Sequence, residues 1–98
     1  MSEVLDPAEV EAALARRGIA WDRHGDSLVK VVDAGDFAGA LDYVNRVGAL
    51  AEAADHHPDI DIRWRTVTMR LSTHSAGGIT AKDLGLAAEI DRLQRPGS

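Results

Sequence analysis

Cysteine is absent from this chain, which removes disulfides, thiolate metal sites and thiol nucleophiles together. Positive charge is also scarce: eleven lysines and arginines stand against sixteen aspartates and glutamates, a formal net charge of −5 at pH 7. A surface of that sign repels phosphate backbones and anionic headgroups, so neither nucleic acid nor a membrane is an expected partner. No apolar run approaches the roughly 20 residues of a membrane-spanning helix. The first residues lack the basic-then-apolar pattern of a leader. Internal repeats and low-complexity linkers are missing too. Together these absences fit a cytoplasmic protein.

What is present is 98 residues, 45% hydrophobic and 28% charged, an ordinary balance for a globular protein. The length predicts a single domain over residues 1–98, with residues 95–98 (Arg-Pro-Gly-Ser) as a frayed tail. A chain this short buries only about 60–65% of its unfolded surface, so a homodimer or homotetramer would add stability.

Local signals give an element order. Asp6-Pro7-Ala8-Glu9 joins a capping residue, a proline suited to the first helical position and a glutamate that closes a capping box. That helix is expected to end at Gly18, after Arg16 and Arg17. Ile19 to Arg23 and Leu28 to Val32, separated by His24-Gly25-Asp26, read as a hairpin. Asp36 caps a second, longer helix whose apolar stripe includes Phe37, Leu41, Val44, Tyr43, Val47 and Ala51. Pro58 disfavours a helical His57, so this helix is expected to stop there, with His56 and His57 in its last turn. The period then changes to two: Ile60, Ile62, Trp64 and then Val67, Met69, Leu71 alternate with polar residues, as in two antiparallel strands with one buried face. Thr80-Ala81-Lys82-Asp83 is a capping box opening a third helix, with Leu86, Ile90 and Leu93 facing inward. The class is α+β with order αββαββα: a four-stranded antiparallel sheet with three helices packed on one face.

Three of the four histidines fall between Glu52 and His74, with carboxylates beside them. Glu52 and His56 are four apart, so on a continuous helix they share a face, and the carboxylate can fix the tautomer of the ring. His57 points about 100° away, and the two rings would line two walls of a pocket. His74, at the end of a returning strand, could supply a third wall, and Asp83 could close it. Plainer readings exist. Adjacent histidines suit the negative end of a helix, a single His74 fits a surface position, Glu52 fits a solvated helix face, and Asp83 is accounted for by capping. No chelate spacing such as His-x-x-x-His occurs, so no metal is expected. His24 receives no role.

The combination resembles the signature of the pterin-4a-carbinolamine dehydratases. The matching residues are Glu52, His56-His57-Pro58, Trp64, Thr73-His74 and Asp83, in register, and the resemblance extends over nearly the whole chain. It implies dehydration of 4a-hydroxytetrahydropterin to the quinonoid dihydropterin, with no cofactor and no metal. It implies His56 and His74 as general acids, and His57 mainly as a binding residue. Glu52 would orient His56, while Asp55, Ser72, Thr73 and Asp83 would line or brace the pocket. Ile60 stands where animal members often carry an aromatic, and would pack on the ring face as an aliphatic. Ser75 replaces an acidic residue found in some members. An aromatic amino-acid hydroxylase would be a partner in the same pathway, supplying the pterin. The alternative is a non-catalytic protein-binding module, since relatives serve as a transcription-factor dimerisation cofactor or a carboxylase assembly factor. A further alternative is dehydration of a different pterin.

Overall fold

Capping decides where each helix begins. In the computed structural model, which describes residues 3–93, α1 spans Pro7–Arg17. Asp6 Oδ1 accepts from the Glu9 amide at 2.8 Å, and Glu9 Oε1 accepts from the Asp6 amide at 3.1 Å. The hairpin strands β1 (Asp22–His24) and β2 (Ser27–Asp33) follow. Next come α2 (Phe37–Ala54), β3 (Asp59–Arg63), β4 (Thr66–Leu71) and α3 (Ala81–Asp91). Asp36 caps α2 by accepting from the Gly39 amide at 2.6 Å. That turn is tight enough to require glycine, because a Cβ on Gly39 would stand 2.5 Å from the Ala34 carbonyl oxygen. The expected tail at residues 95–98 lies outside the described residues.

All strands pair antiparallel in the order β1-β2-β4-β3. The register puts Leu28 opposite Leu71, Lys30 opposite Met69 and Val32 opposite Val67, with Ile60 and Ile62 completing the same face on β3. Leu28, Val67, Met69 and Leu71 are fully buried there. They pack with Val10 and Leu14 of α1, Val47 and Ala51 of α2, and Leu86 and Ile90 of α3. Three helices thus cover one face of a four-stranded antiparallel sheet. Each large apolar side chain buried this way contributes about 1.5–3 kcal/mol.

Several boundaries differ from the sequence expectations. β1 is confined to Asp22–His24, so His24 ends a strand instead of sitting in the turn. Ile19 and Trp21 are buried before it, as part of the core. Trp64 lies in the two-residue turn that joins Arg63 to its partner Thr66, so it does not continue the buried alternation. It is 70% exposed, at a left-handed φ of 54°, with the Arg65 guanidinium 4.9 Å from the ring centre. Phe37 and Leu41 are exposed on the outer edge of α2, where the stripe is wider than the face it covers.

Lys30 shares the covered face of the sheet with Met69, and a cation in that place needs a partner. It finds Asp91, at the end of α3, with Nζ 2.7 Å from Oδ1. The same carboxylate accepts from Trp21 Nε1 at 2.9 Å and the Ala20 amide at 2.7 Å. Burial, and secondarily the Asp91 charge, hold the Tyr43 phenol above its ordinary 10.0. The folded state therefore keeps this proton at pH values where the unfolded chain has released it. Stability from this group is fully present below about pH 10 and is lost as pH rises through the folded value. Tyr43→Phe should flatten that alkaline fall in urea unfolding. Superimposable stability curves above pH 10 for the two proteins would contradict the assignment.

Candidate active site

The candidate site is built where α2 stops. Asp55 adopts a left-handed φ of 50°, a conformation that aspartate tolerates better than most residues. Its amide then bonds back to the Glu52 carbonyl, and the His56 amide reaches the Ala51 carbonyl at 3.1 Å. The last carbonyls of the helix are thereby covered. α2 consequently ends at Ala54, and His56 and His57 lie beyond it. This corrects the expectation that both histidines form the last helical turn.

The same turn changes which carboxylate serves which ring. Once the chain has left the helix, the i,i+4 relation between Glu52 and His56 no longer applies. Glu52 meets His57 Nε2 instead, in a solvent-exposed pair. His56, only 12% exposed, turns toward α3, and its Nε2 stands 2.5 Å from Asp83 Oδ1. Asp83 is the third residue of α3 and is wholly buried. Its other oxygen accepts from the Thr80 amide at 2.9 Å and from the Thr73 hydroxyl at 2.8 Å. Thr73 Oγ1 lies 2.8 Å from Thr80 Oγ1. Thr73 and Asp83 are both buried.

The remaining candidates are placed as follows. His74 directly follows Thr73 and is exposed in the turn closed by the Thr73–Gly78 bridge. Ser72 donates its hydroxyl to the Asp26 carbonyl at 2.8 Å, tying the end of β4 to the β1–β2 turn. Asp55 is exposed, and Ile60 is half-buried against the core. Contact therefore joins His56, Asp83 and Thr73 into one cluster and Glu52 with His57 into another. Thr80 belongs to the first cluster, although the sequence pointed only to its capping role. The signal was its place in the same box as Asp83.

A groove of about 430 Å³ runs between the end of α2 and α3, lined by Leu50, Ala53, Leu86, His56, Lys82 and Glu89 among others. That volume lies within the roughly 300–1,000 Å³ of small-molecule sites. His57 and His74 are not among its lining residues. A larger cleft of about 770 Å³ opens beside Lys30, Tyr43 and Asp91 and includes none of the three candidate imidazoles. Among the described residues, no group of three or more histidine, aspartate or glutamate side chains is arranged to hold a metal ion.

Comparison with known proteins places the chain in a family. The chain matches the family model of pterin 4 alpha carbinolamine dehydratase over residues 3–93. A Nocardia farcinica protein named as a pterin-4-alpha-carbinolamine dehydratase is 57% identical over 75 residues, 76% of this chain and 79% of its own. A Roseiflexus castenholzii protein of the same name is 50% identical over 93 residues, 95% of this chain and 99% of its own. The crystal structure of a transcriptional coactivator/pterin dehydratase from Brucella melitensis superposes with a TM-score of 0.82 at 26% identity. It covers 91% of this chain and 96% of that one.

The two carboxylate–imidazole pairs should respond very differently to deletion. Asp83→Ala strands the buried Thr73 hydroxyl and Thr80 amide together with the part-buried His56 ring, and should cost about 2–4 kcal/mol in urea unfolding. Glu52→Ala removes an exposed, screened partner and should cost less than about 0.5 kcal/mol. Equal losses would mean that Asp83 is not the anchor its contacts indicate.

Proposed function

Because this chain belongs to the pterin 4 alpha carbinolamine dehydratase family, we propose that it dehydrates 4a-hydroxytetrahydropterin to the quinonoid dihydropterin by histidine acid–base catalysis. The observation that carries the reading is the pairing of His56, which lines a groove large enough for a small molecule, with the wholly buried Asp83 carboxylate. An imidazole held by a carboxylate is a proton donor and acceptor of fixed direction, and its ordinary pKa lies near working pH.

The reaction asks little more than that. The 4a-hydroxyl takes a proton and the C4a–O bond breaks, releasing water. The N5 lone pair forms the new N5–C4a double bond, and N5 gives up its proton. The push from N5 makes the departure easy without a metal or organic cofactor. In this reading His56 and His74 deliver the proton to hydroxyls presented on opposite faces of the ring. His57 binds and orients the pterin, with its exposed ring held by Glu52. Ile60 would supply aliphatic contact to the pterin. An aromatic amino-acid hydroxylase would supply the carbinolamine.

The protein-binding alternative draws on the exposed Phe37 and Leu41 of α2 and on Trp64. The Brucella relative, whose name joins a coactivator role to the dehydratase, gives it a precedent. Such a module would be indifferent to loss of the imidazoles. The same exposed face of α2, with the sheet edges at β1 and β3, supports self-association as a homodimer or homotetramer.

Purified protein should accelerate breakdown of the carbinolamine, followed by absorbance, and the rate should survive an added chelator. His56→Ala combined with His74→Ala should remove at least about 10²-fold of the rate while the circular dichroism spectrum stays native. Full activity in that folded variant would contradict the mechanism. His57→Ala should raise KM more than it lowers kcat, and the reverse pattern would exchange the roles of the two neighbours. Sedimentation at micromolar concentration should report a dimer or tetramer, and a monomer would refute the self-association.

A further inference from the structure

Thr80 caps α3, and its hydroxyl also touches Thr73, a contact that capping alone does not require. The hydrogen positions in this cluster follow from which atoms can only donate and which can only accept. The Lys82 amide only donates, so Thr80 Oγ1 accepts from it at 3.2 Å. The single hydroxyl hydrogen of Thr80 is then left for Thr73 Oγ1 at 2.8 Å. The Thr73 hydrogen passes in turn to Asp83 Oδ2 at 2.8 Å. An ionised Asp83 only accepts, so its contact with His56 at 2.5 Å places a hydrogen on Nε2. The hydrogen bonds converge on Asp83, from Thr80 through Thr73 on one side and from the imidazole on the other. Thr80 and Asp83 are wholly buried and Thr73 is nearly so, which denies water the chance to replace a missing donor.

We infer that the Thr80–Thr73 hydroxyl pair is a positioning device. It occupies the second oxygen of Asp83, holds that carboxylate against His56, and so fixes the Nε2–H tautomer and leaves Nδ1 to exchange protons with the ligand. Without the Thr73 hydroxyl, Oδ2 keeps the Thr80 amide alone, and the carboxylate is free to twist away from the ring. Neither threonine touches substrate in this scheme; both act through Asp83. The inference rests on the general-acid role proposed for His56.

Thr73→Ser and Thr73→Ala both delete the γ-methyl and differ only by the hydroxyl, so the pair separates hydrogen bonding from packing. Thr73→Ser should keep most of kcat. Thr73→Ala should lose about tenfold in kcat, the order expected for one hydrogen bond to a charged group, with KM little changed. Equal activity in the two variants, or a loss confined to KM, would overturn the inference. A second readout needs no variant: ¹⁵N spectra of the histidine-labelled wild-type protein should show neutral His56 protonated at Nε2, with an unprotonated Nδ1. The opposite tautomer would overturn the inference even if Thr73→Ala does not fold. Wild-type protein inert toward the carbinolamine would defeat the proposed function instead, and the tautomer would still decide the positioning role.

Discussion

A carboxylate with no exposed surface sits at the junction of three otherwise separate chain segments, and its need for donors organises them. Asp83 belongs to the first turn of α3, Thr73 to the loop leaving β4, and His56 to the connection from α2 to β3. Burying an ionised carboxylate without partners costs several kcal/mol. Here three donors and the positive end of a helix meet it. The group that is most expensive to bury therefore also fixes the geometry of the candidate catalytic imidazole.

The far end of α3 repeats this logic with a different partner. Asp91 lies at the helix C-terminus, where the backbone dipole disfavours a negative charge. It is held by Trp21, the Ala20 amide and Lys30, donors drawn from the segment leading into β1 and from β2. Histidine changes charge near neutral pH, so at the other end the same kind of clamp can also move a proton. One helix is thus pinned at both ends by carboxylates, with a lysine as partner at one end and an imidazole at the other.

What could be read from the sequence was local. The two capping boxes, Asp6 with Glu9 and Thr80 with Asp83, are spacings of three residues and need no tertiary information. The period-two run from Ile60 to Leu71 gave β3 and β4, because only one face of each is covered. Trp64 deceived the pattern: hydrophobic alternation places a tryptophan inside, whereas the two-residue turn puts it out. Strand order was not legible, since β2 pairs with β4 across the whole of α2 and β3. In the site, the spacing of Glu52, His56, Thr73 and Asp83 stood out, yet the pairing of carboxylates with rings did not. That pairing depends on one backbone conformation at Asp55, which no periodicity encodes.

The two adjacent histidines show what that conformation accomplishes. Had α2 continued through His57, both rings would have lain on helical faces, with Glu52 beside His56. The left-handed turn at Asp55 sends His56 inward to a buried carboxylate and leaves His57 outside with an exposed one. Two unit charges 4 Å apart interact by about 1 kcal/mol in water but about 4 kcal/mol at an effective dielectric of about 20. A charged imidazole would therefore be held more firmly by the buried Asp83 than by the exposed Glu52, and salt would weaken only the outer pair appreciably. A ligand arriving at this end of the protein meets one imidazole whose orientation the fold has already set. The other is paired with an exposed carboxylate and stays open to solvent.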